Sequence, residues 1–306
     1  MDKLRAMATF VRVVETGGFS AVAREARTTQ GAVSKQVAAL ERDLGARLLT
    51  RTTRSLALTE EGERYFEHAR RLVADIAEAE GALRRGEQQL TGWLRVAAPV
   101  AFGRLKLMPL VQSFLAAHGA VKIDLRLNDG LVDLVEQGID VAVRIGELAD
   151  SSLVARRVGT TQRVLVAHRS YLRSLPKGMK RPTAPEELAA HNCIVYTGIA
   201  APDTWQFTAG PGASAPVGTV RRVHVEGNLQ TNSSEVMRAS VLAGMGISYS
   251  PTWLFDAEIA GGQLQHLLPD WEAVRLPIHL VSPAQRRHSA KVKAFGDHVA
   301  QALNGG

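Results

Sequence analysis

The stretch Thr29-Gln30-Gly31-Ala32-Val33-Ser34-Lys35-Gln36-Val37 decides how the chain reads. Val33, Val37, Leu40 and Leu44 recur at steps of four, three and four. That spacing predicts a helix with one apolar face, opened by Thr29 as N-cap and ended by Gly45. The opposite face carries Gln30, Gly31, Ser34, Lys35 and Ala38. An amide that pairs twice with adenine, a residue with no side chain, and a lysine within reach of guanine or phosphate are what entry into a DNA major groove requires. Taken alone, a solvated helix face explains the same residues.

The flanks extend the reading. Leu4, Met7, Ala8, Val11 and Val14 share one face of a helix over residues 2–15, which Gly17-Gly18 stops. Ser20 is placed to cap a second short helix through Ala26, and Thr28-Thr29 breaks it. A short helix, a turn and a longer helix make a helix-turn-helix. After Leu48-Leu49, the run Thr50-Arg51-Thr52-Thr53-Arg54-Ser55 before Leu56-Ala57-Leu58 predicts a hairpin wing whose arginines grip phosphates or a minor groove.

In that order, Gly18-Phe19-Ser20-Ala21, the stretch Thr29 to Val37, Leu40-Glu41, Leu44-Gly45, Leu48-Leu49, Arg51, Arg54 and Leu58-Thr59-x-x-Gly62 resemble the winged helix-turn-helix signature of LysR-type transcriptional regulators. The resemblance implies sequence-specific binding of double-stranded DNA at a pseudo-palindromic promoter site, through Thr29, Gln30, Gly31, Ser34, Lys35, Arg51 and Arg54. Thr29 stands where the family usually has Ser, and Gly31 where Pro or another small residue is common. Leu49-Thr50 stands where Phe is frequent.

Thr59 opens a long helix with Glu60, Glu61 and Glu63 in its first turn, at the positive end of the dipole. Tyr65, Ala69, Leu72, Ile76, Ala79 and Leu83 form a heptad seam flanked by charges of both signs. Packing on its own globular domain is the alternative. The resemblance makes this the linker helix that pairs with a second copy, so that two recognition helices read a two-fold site. It also implies a homotetramer, with RNA polymerase as a further partner.

From Leu94 onward strands and helices alternate, which predicts parallel α/β sheets. Strands are expected at residues 94–98, 123–127, 141–145, 163–167, 193–196, 217–225, 247–250, 264–268 and 278–281, with helices at 105–117, 132–137, 233–243 and 289–303. The resemblance implies a two-lobed effector domain of the type 2 periplasmic-binding-protein fold. The expected division is residues 1–58 for DNA binding, 59–90 for the linker, and 91–306 for the sensor, with lobe I at 91–161 and 266–306 and lobe II at 162–265. Ligands lie at the carboxyl ends of strands beside helix N-termini. That rule selects Val100, Ala101, Phe102, Asn128, Arg144, Thr197, Asn232 and Ser233 as an effector site. A salt bridge for Arg144 and core packing for Phe102 are the alternatives. Val100-Ala101-Phe102 replaces the hydroxyls common in the family, which predicts a less polar floor, suited to an aromatic or aliphatic acid.

Composition bounds the rest. The 306 residues are 45% hydrophobic and 22% charged, an ordinary globular composition for two or three domains. Net charge is +7 and is unevenly placed. Residues 1–58 hold ten Lys and Arg against five Asp and Glu, residues 59–90 five against eight, and residues 91–306 twenty-two against seventeen. Charge at the start where a signal peptide would be apolar points to the cytoplasm, and no run reaches membrane-spanning length. A single cysteine, Cys193, excludes intramolecular disulfides and reads as a core thiol. No two of the nine histidines are spaced as local metal ligands, and there is no nucleophile elbow, P-loop or dinucleotide fingerprint. No metal, cofactor or enzymatic activity is therefore expected. An enzyme or solute-binding protein on the same two-lobed fold would leave residues 1–58 without a role.

Overall fold

The computed structural model describes residues 2–51, 56–85, 90–148, 151–286 and 289–304. They form two compact units, Met1–Trp93 and Leu94–Gly306.

In the first unit, α1 (Lys3–Thr16), α2 (Phe19–Glu25) and α3 (Gln30–Leu44) precede a hairpin of β1 (Leu49–Arg51) and β2 (Leu56–Leu58), and α4 (Glu60–Arg85) follows. Phe10, Val11, Val22, Val33, Val37 and Leu40 meet in a shared core. Gly17 and Gly45 end α1 and α3 in the left-handed conformation, as their spacing predicts. The expected cap at Ser20 is corrected. Helix α2 starts two residues earlier, from an extended Gly18 that makes no side-chain cap, and Ser20 is exposed inside its first turn. Phe19 packs against the core and sets that start.

The wing is tied to α3 and α4 by a few polar atoms. The Glu41 carboxylate accepts from the Leu48 and Leu49 amides at 2.8 and 3.1 Å. The Thr59 hydroxyl donates to the Arg47 carbonyl at 2.6 Å and accepts from the Gly62 amide at 2.9 Å. Thr59 also donates its own amide to the Leu48 carbonyl. A β-carbon on Gly62 would run into that carbonyl, so the Leu58-Thr59-x-x-Gly62 spacing records a close approach of α4 to the wing.

In the second unit β3 (Gly92–Ala98) leads into a continuous helix, Val100–Ala117, in which α5 (Val100–Phe102) and α6 (Met108–Ala117) flank a π-turn at Gly103–Leu107. The order then runs β4 (Val121–Leu127), β5 (Val141–Ile145), β6 (Leu153–His168), α7 (Arg169–Arg173), β7 (Ile194–Tyr196), β8 (Thr204–Ala209), β9 (Val220–His224), β10 (Leu229–Thr231), α8 (Ser234–Leu242), β11 (Ile247–Pro251), α9 (Asp256–Ala260), β12 (Leu264–His266), β13 (Trp271–Ala273), β14 (Arg275–Pro283) and α10 (Ala290–Asn304).

The expected parallel sheets are corrected to a mixed arrangement. The largest sheet has the order β11-β6-β14-β5-β3-β4, with β12 also on β6. Strand β3 runs parallel to β5, whereas β14 is antiparallel to both β5 and β6. The reason is the path of the chain. Strand β6 carries it from lobe I to lobe II and β14 carries it back, so the two crossing strands lie side by side in opposite directions. Strand β6 pairs with β14 through Gln162 and with β11 from Arg163 onward. The return crossing lies between β13, which pairs with lobe II strand β8, and β14, so it falls at Val274 and not near Gln265. In place of the expected helix at 132–137, residues 134–138 make a single turn: the Asp133 carboxylate caps it by accepting from the Val135 and Glu136 amides at 2.8 and 2.9 Å, and Gly138, in the left-handed conformation, ends it.

Val100–Ala117 is, among the described residues, the one helix long and apolar enough to cross a membrane. A third of it is buried, Phe114 stacks edge-on against Phe295 of α10 at 5.2 Å, and its two charges, Arg104 and Lys106, pair with Glu235 and Asp256 of lobe II.

Candidate functional site

On α3 one face is spent on the core and the other is open. Val33, Val37 and Leu40 are buried, and Gln36 is held on the inner side by the Thr9 hydroxyl at 2.8 Å. Thr29, Gln30, Gly31 and Lys35 are exposed and Ser34 is half-buried on the opposite side. The Thr29 hydroxyl caps α3 by accepting from the Ala32 amide at 3.2 Å, which fixes the first turn from which Gln30 and Gly31 project. A β-carbon on Gly31 would meet only the Thr29 hydroxyl, at 4.0 Å. The domain's own packing therefore does not demand glycine there. Beside this face the wing pairs Leu49 with Leu58, Thr50 with Ala57 and Arg51 with Leu56. The backbone of Arg51 ends β1, while its side chain and all of Arg54 lie outside the described residues.

The heptad seam on α4 is divided by the structure. Ala69 is fully buried in its own unit, and Tyr65 packs there against Phe10 with ring centroids 5.8 Å apart. Ala69 is thus corrected from dimer seam to core, and Tyr65 is largely taken by the same contact. Leu72 is 51% exposed and Ile76 half-buried. The side chains of Ala79 and Leu83 lie outside the described residues.

In the sensor, Thr197, Asn232 and Ser233 come together at the carboxyl ends of the parallel strands β7 and β10. The Thr197 amide donates to the Thr231 carbonyl at 2.8 Å, and Ser233 caps α8. Thr197 and Asn232 are exposed. Facing them from lobe I are the Val100 amide and the turn after β4. Asn128 uses its side-chain oxygen on the Gly130 amide at 2.7 Å, which aims the next residue, Asp129, across the cleft. The Asp129 carboxylate accepts from the Val100 amide at 2.9 Å, the Ser234 amide at 2.9 Å and the Ser234 hydroxyl at 3.0 Å. It sits at two helix starts, one in each lobe, in the place an anion favours. Tyr196 stands close enough to feel its charge, and burial together with that charge pushes the phenol up to about 12.

Sequence reasoning missed Asp129 and Ser234, although each adjoins a residue it selected. The signal was available in Asn128-Asp129-Gly130, a turn tripeptide directly after a strand.

Three expectations are corrected here. Phe102, 1% exposed, packs edge-on against Trp253 of lobe II at 5.3 Å, and Ala101 is fully buried, so neither floors an open cleft. Arg144 makes no ion pair among the described residues, and its guanidinium is spent on the fold. Its guanidinium donates to the Val132 and Gly130 carbonyls and props the turn after β4, and burial pushes its pKa down. Asn128 and Arg144 do share a small lobe I cavity of about 100 Å³ with Ala97, Ala98 and Gln137. Among the described residues no three His, Cys, Asp or Glu side chains are grouped to hold a metal ion.

Comparison with known proteins accords with this geometry. The family model "Bacterial regulatory helix-turn-helix protein, lysR family" matches residues 4–63, and "LysR substrate binding domain" matches residues 87–304. An HTH-type transcriptional repressor of Pseudomonas aeruginosa is 33% identical over 303 residues, covering 98% of this chain and 92% of that protein. The solved structure of CrgA, a LysR-type transcriptional regulator from Neisseria meningitidis, is 31% identical with a TM-score of 0.60 and covers 98% of both chains. The Vibrio cholerae virulence activator AphB matches at 28% identity and a TM-score of 0.57, over 97% of this chain and 98% of that one. The match over residues 4–63 gives the front unit its role and sets aside the enzyme and solute-binding readings. The chain belongs to the LysR family of transcriptional regulators.

Proposed function

We propose that the chain binds a pseudo-palindromic promoter site with the exposed face of α3 in the major groove. Thr29, Gln30, Gly31, Ser34 and Lys35 face the bases and adjoining phosphates, and Arg51 and Arg54 of the wing take phosphates or the minor groove. The observation that carries this reading is the division of α3 into a fully packed face and an open polar one. Two copies join along α4 beyond Ala69, through Leu72, Ile76, Ala79 and Leu83, and dimers assemble into a tetramer in the cytoplasm. RNA polymerase is the downstream partner.

The effector is a small acid that enters between the lobes beside Val100, Thr197, Asn232 and Ser233. There its carboxylate competes with Asp129 for the Val100 and Ser234 amides. Opening that clasp changes the lobe angle and, through the dimers, the DNA. The DNA reading is tested by a gel-shift titration of Lys35→Ala with Arg51→Ala on the promoter region of the protein's own gene. Loss of about tenfold or more in affinity supports it. Unchanged affinity overturns the assignment of recognition helix and wing.

A further inference from the structure

The turn between α2 and α3 holds a side chain where its backbone favours none. Helix α2 closes with two hydrogen bonds, the Arg27 amide donating to the Arg24 carbonyl at 3.2 Å and the Thr28 amide to the Ala23 carbonyl at 2.9 Å. That pattern sets the residue after the cap in the left-handed conformation, where glycine is the usual occupant because a β-carbon strains it. Helices α1 and α3 end on Gly17 and Gly45, at φ of 74° and 66°. Helix α2 has Arg27 there, at φ 50°, and among the described residues of the front unit it is the one non-glycine with positive φ.

Nothing within the domain accounts for the arginine. Its side chain is exposed, and among the described residues no carboxylate pairs with it. The five carboxylates of residues 1–58 are all engaged elsewhere. Asp2 caps α1, Glu15 and Glu25 hold Arg12 at 2.7 and 2.8 Å, Glu41 takes the Leu48 and Leu49 amides, and Asp43 pairs with Lys3 at 2.8 Å. Glu25, the acid nearest to Arg27 in sequence, gives both of its oxygens to Arg12. Arg24, in the last turn of α2, is likewise exposed and has no carboxylate among the described residues. The turn is therefore a place of uncompensated positive charge held in a strained backbone, and such strain collects at functional positions.

We propose that Arg27 is a phosphate anchor, which holds the DNA backbone at the edge of the groove that α3 enters. The inference rests on α3 as the recognition helix. Where such a helix lies in the major groove, the helix before it crosses the backbone, so the turn joining the two lies beside phosphates. Thr29, two residues on, caps α3 and ties the turn to its start. A guanidinium in that turn takes phosphate oxygens in two places and sets the depth and register of α3 without reading a base.

The test is fluorescence anisotropy of the full chain on its own promoter duplex and on a scrambled duplex of equal length, over a series of salt concentrations. Arg27→Gly should weaken binding to both duplexes by the same factor, about three- to tenfold at low salt, and flatten the plot of log affinity against log salt by about 0.9 per anchored phosphate. Arg27→Asn, which accepts the left-handed conformation without the charge, should match it, and Arg27→Lys should keep the parental slope. Arg27→Gly should melt at or above the parental temperature, so weaker binding is not a loss of fold. An unchanged slope in Arg27→Gly overturns the anchor, as does a slope lost equally in Arg27→Lys or a loss confined to the promoter duplex. Gln30→Ala, measured alongside, separates this claim from the one beneath it, since it removes no charge and should lower only the ratio between the duplexes. An unchanged ratio in Gln30→Ala overturns the recognition-helix reading and the anchor with it. A lowered ratio there, beside parental behaviour in Arg27→Gly, overturns the anchor alone.

Discussion

The first turn of α3 and the first turn of α4 each contain a glycine, for different physical reasons. At Gly62 a side chain would meet the Leu48 carbonyl, so Gly62→Ala should destabilise the front unit by about 1–3 kcal/mol in chemical denaturation. At Gly31 the space is open, and Gly31→Ala should leave stability unchanged or raise it by up to about 1 kcal/mol while weakening DNA binding. If Gly31→Ala binds DNA as tightly as the parent, close approach of the backbone is not why glycine stands there. Cys193 is fully buried, and burial pushes its thiol from 9.0 up to about 12. The thiolate is the reactive form, so a thiol reagent should modify Cys193 only after unfolding. The raised folded pKa also sets a sign. Its stabilisation is complete below pH 9 and is lost between about 9 and 12, at up to roughly 1.4 kcal/mol per pH unit, as the unfolded chain ionises first. Flat stability over that range in a Cys193→Ala comparison would contradict this.

At the scale of elements, α4 serves two partners in succession. Its first turns lie on Phe10 through Tyr65, Phe66 and Ala69, and only from Leu72 onward is an apolar side chain offered outward. Leu72→Glu should leave the melting temperature of the front unit near that of the parent while shifting the chain from the tetramer to a smaller assembly in sedimentation. Ala69→Glu should unfold the unit by forcing a charge into its core. A tetramer that survives Leu72→Glu would place that subunit contact elsewhere. The periodicity of residues 65–83 showed one continuous stripe, because a heptad seam and the buried face of a packed helix have the same spacing. Burial alone separates them. The same limit explains the other differences. Helix α3, its Thr29 cap and its Gly45 stop were legible because local chemistry sets them. Residues 132–137 read as helical because Asp133 does cap a turn there, and the apolar pattern did not register that Gly138 stops it after that one turn. Strand β8 was overlooked although Trp205, Phe207 and Ala209 alternate as the buried face of a strand should; β9 follows it directly, while its other partner, β13, is distant in sequence.

For the whole molecule, the order of segments was readable and the site in the sensor only partly so. The rule for strand ends pointed to Val100, Asn128, Thr197, Asn232 and Ser233 but not to the Asp129 carboxylate that joins Val100 to Ser234, because a contact from residue 129 to residue 234 leaves no local trace. That contact has a measurable consequence. Asp129→Ala should lower the stability of the sensor unit by about 1–3 kcal/mol, since hydrogen bonds to a charged group are lost from both lobes. Acetate should raise the melting temperature of the variant more than that of the parent, and a variant as stable as the parent would show that Asp129 clasps nothing. The uneven charge now has a geometric meaning as well. The net +5 of residues 1–58 accompanies an open helix face and a wing.

That face carries the central claim, and its sharpest test is a ratio. Fluorescence anisotropy should give the affinity of the full chain for its own promoter duplex and for a scrambled duplex of equal length, at one fixed salt concentration. Gln30→Ala should lower the ratio between the two by about tenfold, while binding to the scrambled duplex, which rests on phosphates, stays within a few-fold of the parent. An unchanged ratio would contradict the account, because the exposed face of α3 would then not be reading the bases.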